Sequence, residues 1–289
     1  MKPNKIVLLL LAVTLSVIFS SCPPLPGPIK VASFNLQIYG QEKAGHPEVV
    51  DVLARIIREF DVCAVQEIRD AAGTAINALA AAVDAGGVDY EYVLGPRVGR
   101  TSSKEQYAVF YNTATIQALP GAYTYAEGGT DTFEREPYIA MFRTRAGRAD
   151  FIIIDIHTKP ADAASEIQAL PAVMANAQAV LGEPDVICLG DFNADDNTED
   201  YYDESRYTET FPAATYNWII GNDEDTMVDA GSDNTYDRLV TTKSMDEDYT
   251  GQAGVFRFDE VYHLDAAAAA AVSDHYPVWA EFSVEDDTD

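Results

Sequence analysis

The chain has 289 residues and a formal net charge of −28, from 47 acidic and 19 basic side chains. A surface this acidic favours solubility and repels polyanions at low ionic strength, so composition alone argues against a nucleic-acid partner. Of the three cysteines, Cys63 and Cys188 each lie inside an apolar run. This position predicts buried thiols rather than a disulfide.

The N-terminus has the pattern of an export signal. Two lysines precede an apolar run over residues 6–19, which is too short for a membrane span, and small residues follow it. We therefore predict a signal peptide over residues 1–21. Cys22 follows the small residues as in a lipoprotein cleavage box, so we expect it to be acylated and the protein to be a cell-surface or periplasmic lipoprotein. Because Phe19 departs from that box, a plain signal peptide and a secreted protein stay open as the alternative.

The rest of the chain reads as one domain. Residues 22–28 are rich in proline and predict a stiff, extended tether. No second linker or repeat interrupts residues 29–283, and residues 284–289 form an acidic tail. Removing residues 1–21 takes away two lysines and no acid, which moves the formal charge from −28 to −30.

Strands outnumber helices in the apolar pattern. The predicted strands are residues 31–34, 62–66, 107–111, 138–142, 151–156, 186–189, 238–241 and 278–282. The predicted helices are residues 47–60, 72–85 and 162–181, the last interrupted by Pro171, and the alanine run 266–271 predicts a short helix or packed connector. Because the strands follow one another too closely for a purely parallel sheet, a layered α/β fold with largely antiparallel sheets fits best.

The stretch GDFNADDN at residues 190–197 resembles the start of a calcium-binding EF-hand loop. Its first three alternating polar residues occupy ligand positions of that loop. Asp196, however, stands where the turn needs glycine, and Tyr202 stands where the bidentate glutamate belongs. The preceding residues also read as a strand rather than a helix, so the stretch must serve another chemistry.

Polar side chains recur at the ends of the predicted strands. One alone would be an ordinary solvated loop residue, but loops at one end of stacked sheets converge. Converging carboxylates, amides and histidines make a site for a hard cation with acid/base partners. The residues in question are Asn35, Glu67, His157, Asp191, Asn193, Asp237, Asp274 and His275.

Eight short motifs, in chain order, resemble the endonuclease/exonuclease/phosphatase superfamily and, within it, the secreted deoxyribonuclease I group. They cover the chain from about residue 30 to 282. The resemblance implies an α/β fold of the α+β type, a four-layer sandwich of two packed, largely antiparallel β-sheets flanked by helices. The motifs are SFN (33–35), VQEIRD (65–70), KEQY (104–107), FEREP (133–137), IHTKP (156–160), GDFNAD (190–195), YDRL (236–239) and SDHYP (273–277).

The resemblance implies a metal-dependent attack on a phosphodiester. Glu67 would hold Mg²⁺ or Mn²⁺, with Asn35 and Asp274 nearby, because a divalent cation neutralises the charge of the phosphate oxygens. Asp191 and Asn193 would position the scissile phosphate or the attacking water.

Two acid/base pairs are implied as well. His157 would be oriented by Glu105 and His275 by Asp237, one pair acting on water and the other on the leaving oxygen. Tyr236 would donate to a phosphate oxygen. Sequence does not decide which histidine is the base. Two further histidines, at positions 46 and 263, match no motif and are predicted to be structural.

Contacts with DNA are implied for Arg69 and Arg135, at positions where the resembling group contacts its substrate. Two other positions depart from that group: Ser103 replaces a groove-binding tyrosine, and Gln37 replaces an arginine. The group's disulfide cysteines are absent. Structural Ca²⁺ is expected at two acidic loops, whose residues are Glu127, Asp131, Glu136, Asp225 and Asp229.

The sequence therefore predicts an exported, monomeric, metal-dependent endonuclease that hydrolyses double-stranded DNA. A phosphodiesterase or phosphatase acting on lipid or inositol phosphates stays open, because the acidic surface and the two lost groove contacts weaken the case for DNA. A catalytically silent surface-binding protein would need a broken site, and every expected catalytic position is filled.

Overall fold

Two β-sheets pack face to face at the centre of the molecule. The computed structural model describes residues 27–146, 149–195, 202–229 and 231–284. The predicted signal peptide, Cys22 and residues 285–289 of the acidic tail lie outside the described residues.

The first sheet has six strands in the order β12-β13-β1-β2-β4-β3. β1 and β2 are parallel, and every other pair in this sheet is antiparallel. Its strands are β1 (Ile29–Tyr39), β2 (Val62–Ile68), β3 (Tyr90–Leu94), β4 (Gln106–Asn112), β12 (Tyr249–Val255) and β13 (Val278–Phe282).

The second sheet has seven strands in the order β10-β11-β9-β8-β7-β5, with β6 paired to β7. Again a single pair, β8 with β9, is parallel. Its strands are β5 (Ile116–Ala118), β6 (Tyr123–Thr124), β7 (Tyr138–Thr144), β8 (Asp150–His157), β9 (Val186–Asp191), β10 (Tyr216–Trp218) and β11 (Asp237–Thr242). The expected pair of largely antiparallel sheets is thus confirmed.

Helices cover the outer faces and complete the four layers. One apolar core lies between the sheets, a second lies between the first sheet and α2, α3 and α7, and a third lies between the second sheet and α4 and α5. The helices are α1 (Gln41–Ala44), α2 (Pro47–Ile57), α3 (Ala75–Asp84), α4 (Ala163–Leu181), α5 (Glu204–Thr210), α6 (Phe258–Tyr262) and α7 (Ala266–Val272).

The expected break at Pro171 was wrong, because α4 continues through it from Ala163 to Leu181. Proline removes one backbone hydrogen bond and crowds the carbonyl four residues earlier. Buried side chains on both sides of it, including Leu170 and Val173, anchor the helix to the second sheet and offset that loss. No helix in the described part of the chain is long and apolar enough to cross a membrane.

Candidate active site

The candidate site lies where the ends of the two sheets meet. The first sheet contributes Asn35 and Glu67, and the second contributes His157 and Asp191. Asn35 Nδ2 donates to Asp191 Oδ2 over 2.9 Å, so one hydrogen bond joins the two halves directly. Both side chains are buried, which shields that bond from water.

A second link between the sheets lies one step deeper. Gln66 Nε2 donates to Asp155 Oδ1 over 2.6 Å, and both residues are fully buried. Burial raises the pKa of the Asp155 carboxyl well above its usual range. Because Gln66 precedes Glu67 and Asp155 lies two residues before His157, this bond fixes the spacing between the two halves of the site.

The first histidine pair lies on the side of β8. His157 Nδ1 is 2.8 Å from Glu105 Oε2, and His157 Nε2 is 3.5 Å from Asp191 Oδ2. The other oxygen of Glu105 contacts Arg69 at 2.7 Å and Arg135 at 3.2 Å. Burial opposes the charge of Glu105, but His157 and the two arginines outweigh it and lower its pKa to about 2.

The second pair joins His275, just before β13, to Asp237, the first residue of β11. His275 Nδ1 is 2.7 Å from Asp237 Oδ2, and His275 Nε2 is 3.7 Å from Asp191 Oδ2. Asp274 Oδ1 lies 3.8 Å from the same nitrogen. Burial opposes a charge on the imidazole, but Asp237 and Asp191 outweigh it and raise the pKa of His275 to about 10.

Asp191 therefore stands between the two histidines, and a glycine makes its position possible. Gly190 has a φ of +144°, and a Cβ there would lie 1.8 Å from the carbonyl oxygen of Ile156. Only glycine allows β8 and β9 to approach so closely where His157 and Asp191 end their strands. Asp191 Oδ1 then accepts the backbone N–H of Asn193 over 2.9 Å.

Backbone strain concentrates at this site. Five non-glycine residues of the described chain have positive φ, and four of them border the site, whereas His263 lies outside it. Such conformations cost about 1–3 kcal/mol each and persist where the surroundings enforce them. The four are Gln37 (φ 48°), Ile38 (φ 53°), Glu67 (φ 63°) and Asn193 (φ 49°).

The oxygen ligands around Glu67 fit a hard divalent cation. Glu67 and Asp274 both raise the pKa of Lys43, although burial outweighs them and brings it to about 8. Both carboxylates therefore lie near enough to the Lys43 ammonium to act on its charge, and carboxylate oxygens are what Mg²⁺ prefers. The structure does not draw three or more His, Cys, Asp or Glu side chains of the described residues into a ready cluster. Asn35 currently presents its Nδ2 to Glu67 Oε1, at 3.3 Å, so ligation through its oxygen requires the amide to turn over.

The family profile that matches this chain spans residues 32–275. The chain belongs to the Endonuclease/Exonuclease/phosphatase family. It is 33% identical over 264 residues to deoxyribonuclease-1 of Oryctolagus cuniculus, an alignment that covers 87% of this chain and 92% of that protein. Membership of this family and similarity to such relatives make the protein a hydrolase of the nuclease and phosphodiesterase class.

Two solved structures with a similar fold come from proteins with different substrates. A mannosyl-6-phosphatase from Bacteroides thetaiotaomicron has a TM-score of 0.58 and 15% identity, covering 88% of this chain and 99% of its own. D. rerio TDP2 complexed with single strand DNA product has a TM-score of 0.61 and 13% identity, also covering 88% and 99%. At these identities the likeness concerns the fold alone.

The residues expected to contact DNA differ in their access to solvent. Arg69 keeps 26% of its side chain exposed, and its guanidinium contacts Glu67 at 3.3 Å and Glu105 at 2.7 Å. Arg135 is 5% exposed, and its guanidinium donates to the carbonyls of His157 and Thr158. Tyr236 is partly exposed, with its ring centroid 6.4 Å from that of His275. Contact with DNA stays a prediction for all three, and Arg135 has the least surface to offer.

Four of the five expected calcium residues make local hydrogen bonds or an ion pair. Glu127 accepts the N–H groups of Thr132 and Phe133, and Asp131 pairs with Arg100. Glu127, Asp131 and Glu136 all line one cavity of about 600 Å³. In the other loop, Asp225 accepts the N–H of Met227 and Asp229 accepts the N–H of Gly231. Calcium binding at either loop stays a prediction.

Sequence reasoning missed several residues that support this site. Asp155 interrupts an isoleucine run in β8, and an acid inside a buried strand is a signal that could have been used. Glu166 is a second buried acid of this kind. It lies in α4 and accepts the N–H of Glu134, which holds the segment that carries Arg135. Lys43 gave no signal, because a lysine in a polar loop is ordinary.

Proposed function

We propose that this protein is a divalent-metal-dependent endonuclease that hydrolyses DNA phosphodiesters by in-line attack of water. One observation carries the proposal: His157 at the end of β8 and His275 in the loop before β13, each bonded to its own carboxylate, direct Nε2 toward the same Asp191 oxygen. A phosphate bound between the imidazoles would have a proton acceptor on one side and a proton donor on the other. In-line displacement needs that arrangement.

The carboxylates at Nδ1 fix the tautomer of each imidazole. With Nδ1–H held by Glu105 or Asp237, only Nε2 of His157 or His275 exchanges a proton with the reactants. Asp191, which accepts from Asn35, can then orient the attacking water through its remaining lone pairs. When bound, Mg²⁺ or Mn²⁺ at Glu67 would neutralise charge on the phosphate oxygens.

DNA is the favoured substrate for two reasons. The relative with 33% identity is a deoxyribonuclease, and its likeness extends over most of both chains. Arg69 also lies partly exposed beside Glu67 and Glu105, where a guanidinium can meet the next phosphate of a strand. A local arginine can act despite a net charge of −28 because salt screens the distant charges first.

The test is a nicking assay on supercoiled plasmid DNA with the purified protein. Nicking should require Mg²⁺ or Mn²⁺, stop with EDTA, and be lost in Asp191→Asn. Inositol phosphates, a phospholipid vesicle and mannose 6-phosphate are assayed in parallel, since a solved phosphatase shares the fold. Turnover of one of these with no DNA nicking would replace the nuclease by the phosphatase alternative.

We also propose structural Ca²⁺ and an exported, monomeric protein. Ca²⁺ should raise the melting temperature more than an equal concentration of Mg²⁺, because flexible acidic loops suit its larger coordination number.

Cys22→Ser should release the protein from the membranes of its source cell, since acylation requires that sulfur. Membrane association that survives this change would contradict the lipid anchor.

A further inference from the structure

The end of β1 contains an isoleucine in an unusual conformation. Gln37 and Ile38 both have positive φ, 48° and 53°, although neither is glycine. For a β-branched residue this region is a genuine outlier, because its side chain crowds the backbone. The Ile38 side chain is also 57% exposed, so it contributes little to the core.

Hydrogen bonds to this turn explain its backbone. Gln37 N donates to Asn35 Oδ1 over 2.9 Å, and Ile38 N donates to Glu67 Oε2 over 2.8 Å. Lys43 Nζ donates to the carbonyls of Leu36 and Gln37, at 2.8 and 2.9 Å. The N–H groups of the turn therefore donate to Asn35 and Glu67, two residues of the site. The Lys43 ammonium donates to two carbonyls of the same turn.

These bonds explain the positive φ but not the choice of isoleucine. Glycine would adopt the same conformation with less strain and would donate the same N–H. The isoleucine side chain must therefore be accounted for separately, because a β-branched residue in this conformation costs stability that glycine would not. Strained residues of this kind cluster where a site contacts its ligand.

We propose that Ile38 is a specificity-determining residue that packs against the apolar sugar edge of a DNA strand bound at Glu67. The inference rests on the proposed function. Apolar side chains that reach into the minor groove contact deoxyribose carbons and base edges. Such a contact needs no positive charge, which suits a protein this acidic.

The position of Ile38 separates it from other exposed apolar side chains. Among the described residues the remaining large exposed hydrophobics are Val88, Val180 and Val261, and the turn of Ile38 is the one bonded to Asn35 and Glu67. Val180 is the matched control: it is β-branched and 59% exposed, and it lies in the last turn of α4, whose first turn is the end near His157. At 1.5 Å per residue, that helix places Val180 roughly 25 Å from its own start.

The experiment measures kcat and KM of the full protein on duplex DNA and on bis(4-nitrophenyl) phosphate, a small diester with no groove. Ile38→Ser should raise KM for duplex DNA about tenfold, the scale for losing one well-packed aliphatic contact. Its effect on the small diester should be at least about fivefold smaller. Ile38→Leu should keep KM for duplex DNA close to that of the wild type. Val180→Ser should leave kcat and KM unchanged for both substrates.

Ile38→Gly separates recognition from folding. It should raise the melting temperature by relieving strain while it raises KM for DNA, a combination that a purely structural role would not produce. Equal losses on both substrates would show that Ile38 only shapes Glu67 and would overturn the inference, as would an unchanged KM in Ile38→Ser. A wild-type protein that hydrolyses the small diester but never nicks DNA would instead sink the proposed function.

Discussion

The two histidine pairs of the site have nearly the same geometry and very different surroundings. Each Nδ1 lies 2.7–2.8 Å from a buried carboxylate, and each Nε2 lies 3.5–3.7 Å from Asp191. Glu105 shares its charge among His157, Arg69 and Arg135. Asp237 has His275 as its charged partner, and its second oxygen is buried with no hydrogen-bond partner among the described residues.

Because of this difference, the two carboxylates have different effects on the fold and on the protonation of their histidines. Glu105 is the centre of an ion-pair network that includes the buried Arg135, so it helps to hold the fold around His157. Asp237 instead keeps a proton on His275, whose pKa is raised to about 10 against the effect of burial. One pair therefore helps to hold the fold, and the other raises the pKa of its imidazole.

The largest expected effect is on catalysis and does not distinguish the pairs. His157→Ala and His275→Ala should each lower the nicking rate by at least about 10²-fold, because each removes a proton-transfer group. His46→Ala and His263→Ala are the controls and should stay near wild type. Comparable losses in all four variants would mean that the converging pairs are not the reacting groups.

Removal of the two orienting charges should separate the pairs. Glu105→Gln should lower the free energy of unfolding by about 3 kcal/mol, because it leaves Arg135 buried without its carboxylate. Asp237→Asn should lower activity by at least about 10²-fold with a much smaller loss of stability, because His275 can lose its proton when its carboxylate is gone, whereas Arg135 cannot. Urea denaturation beside nicking rates checks both, and equal stability losses would erase the distinction.

A smaller effect concerns the pH dependence of the free energy of unfolding, which depends on the buried carboxyl of Glu166 near the His157 pair. Burial raises the pKa of Glu166 from 4.5 to about 7, against the lowering by the N–H groups of Glu134 and Lys159. Because the folded-state pKa is the higher one, the stabilisation is complete below pH 4.5 and is lost as pH rises to 7. Glu166→Gln should remove this dependence, a difference of roughly 3 kcal/mol across that window. Parallel stability curves for the two proteins would contradict it.

Sequence predicted the central strands well because they carry dense apolar runs. All eight predicted strands are present, and several extend further into polar residues, as β1 does to Tyr39. The missed strands are β3, β5, β6, β10 and β12, which lie at the margins of the sheets, where pairing depends on a partner strand rather than on their own residues. The helix through Pro171 was misread because tertiary packing outweighed a local preference.

The residue types of the candidate site could be predicted from the sequence, but the contacts between these residues could not. Motifs placed Glu67, His157 and His275 at or next to strand ends. The structure brings both histidines to Asp191 and links Glu67 to Asp191 through Asn35. Long-range contacts were not readable, since Arg135 and Glu105 are 30 residues apart and meet only in the folded protein. The strain at Ile38 was also hidden, because backbone conformation at one residue follows from bonds made elsewhere.

The most direct test of the account is a double-mutant cycle on the two histidines, read as nicking rates with Mg²⁺. If both pairs act on one phosphate through one Asp191, the double variant should be about as slow as the slower single variant, because removing either partner already disables the unit. Losses that multiply in full, as expected for independent groups, would contradict a single site that both pairs share.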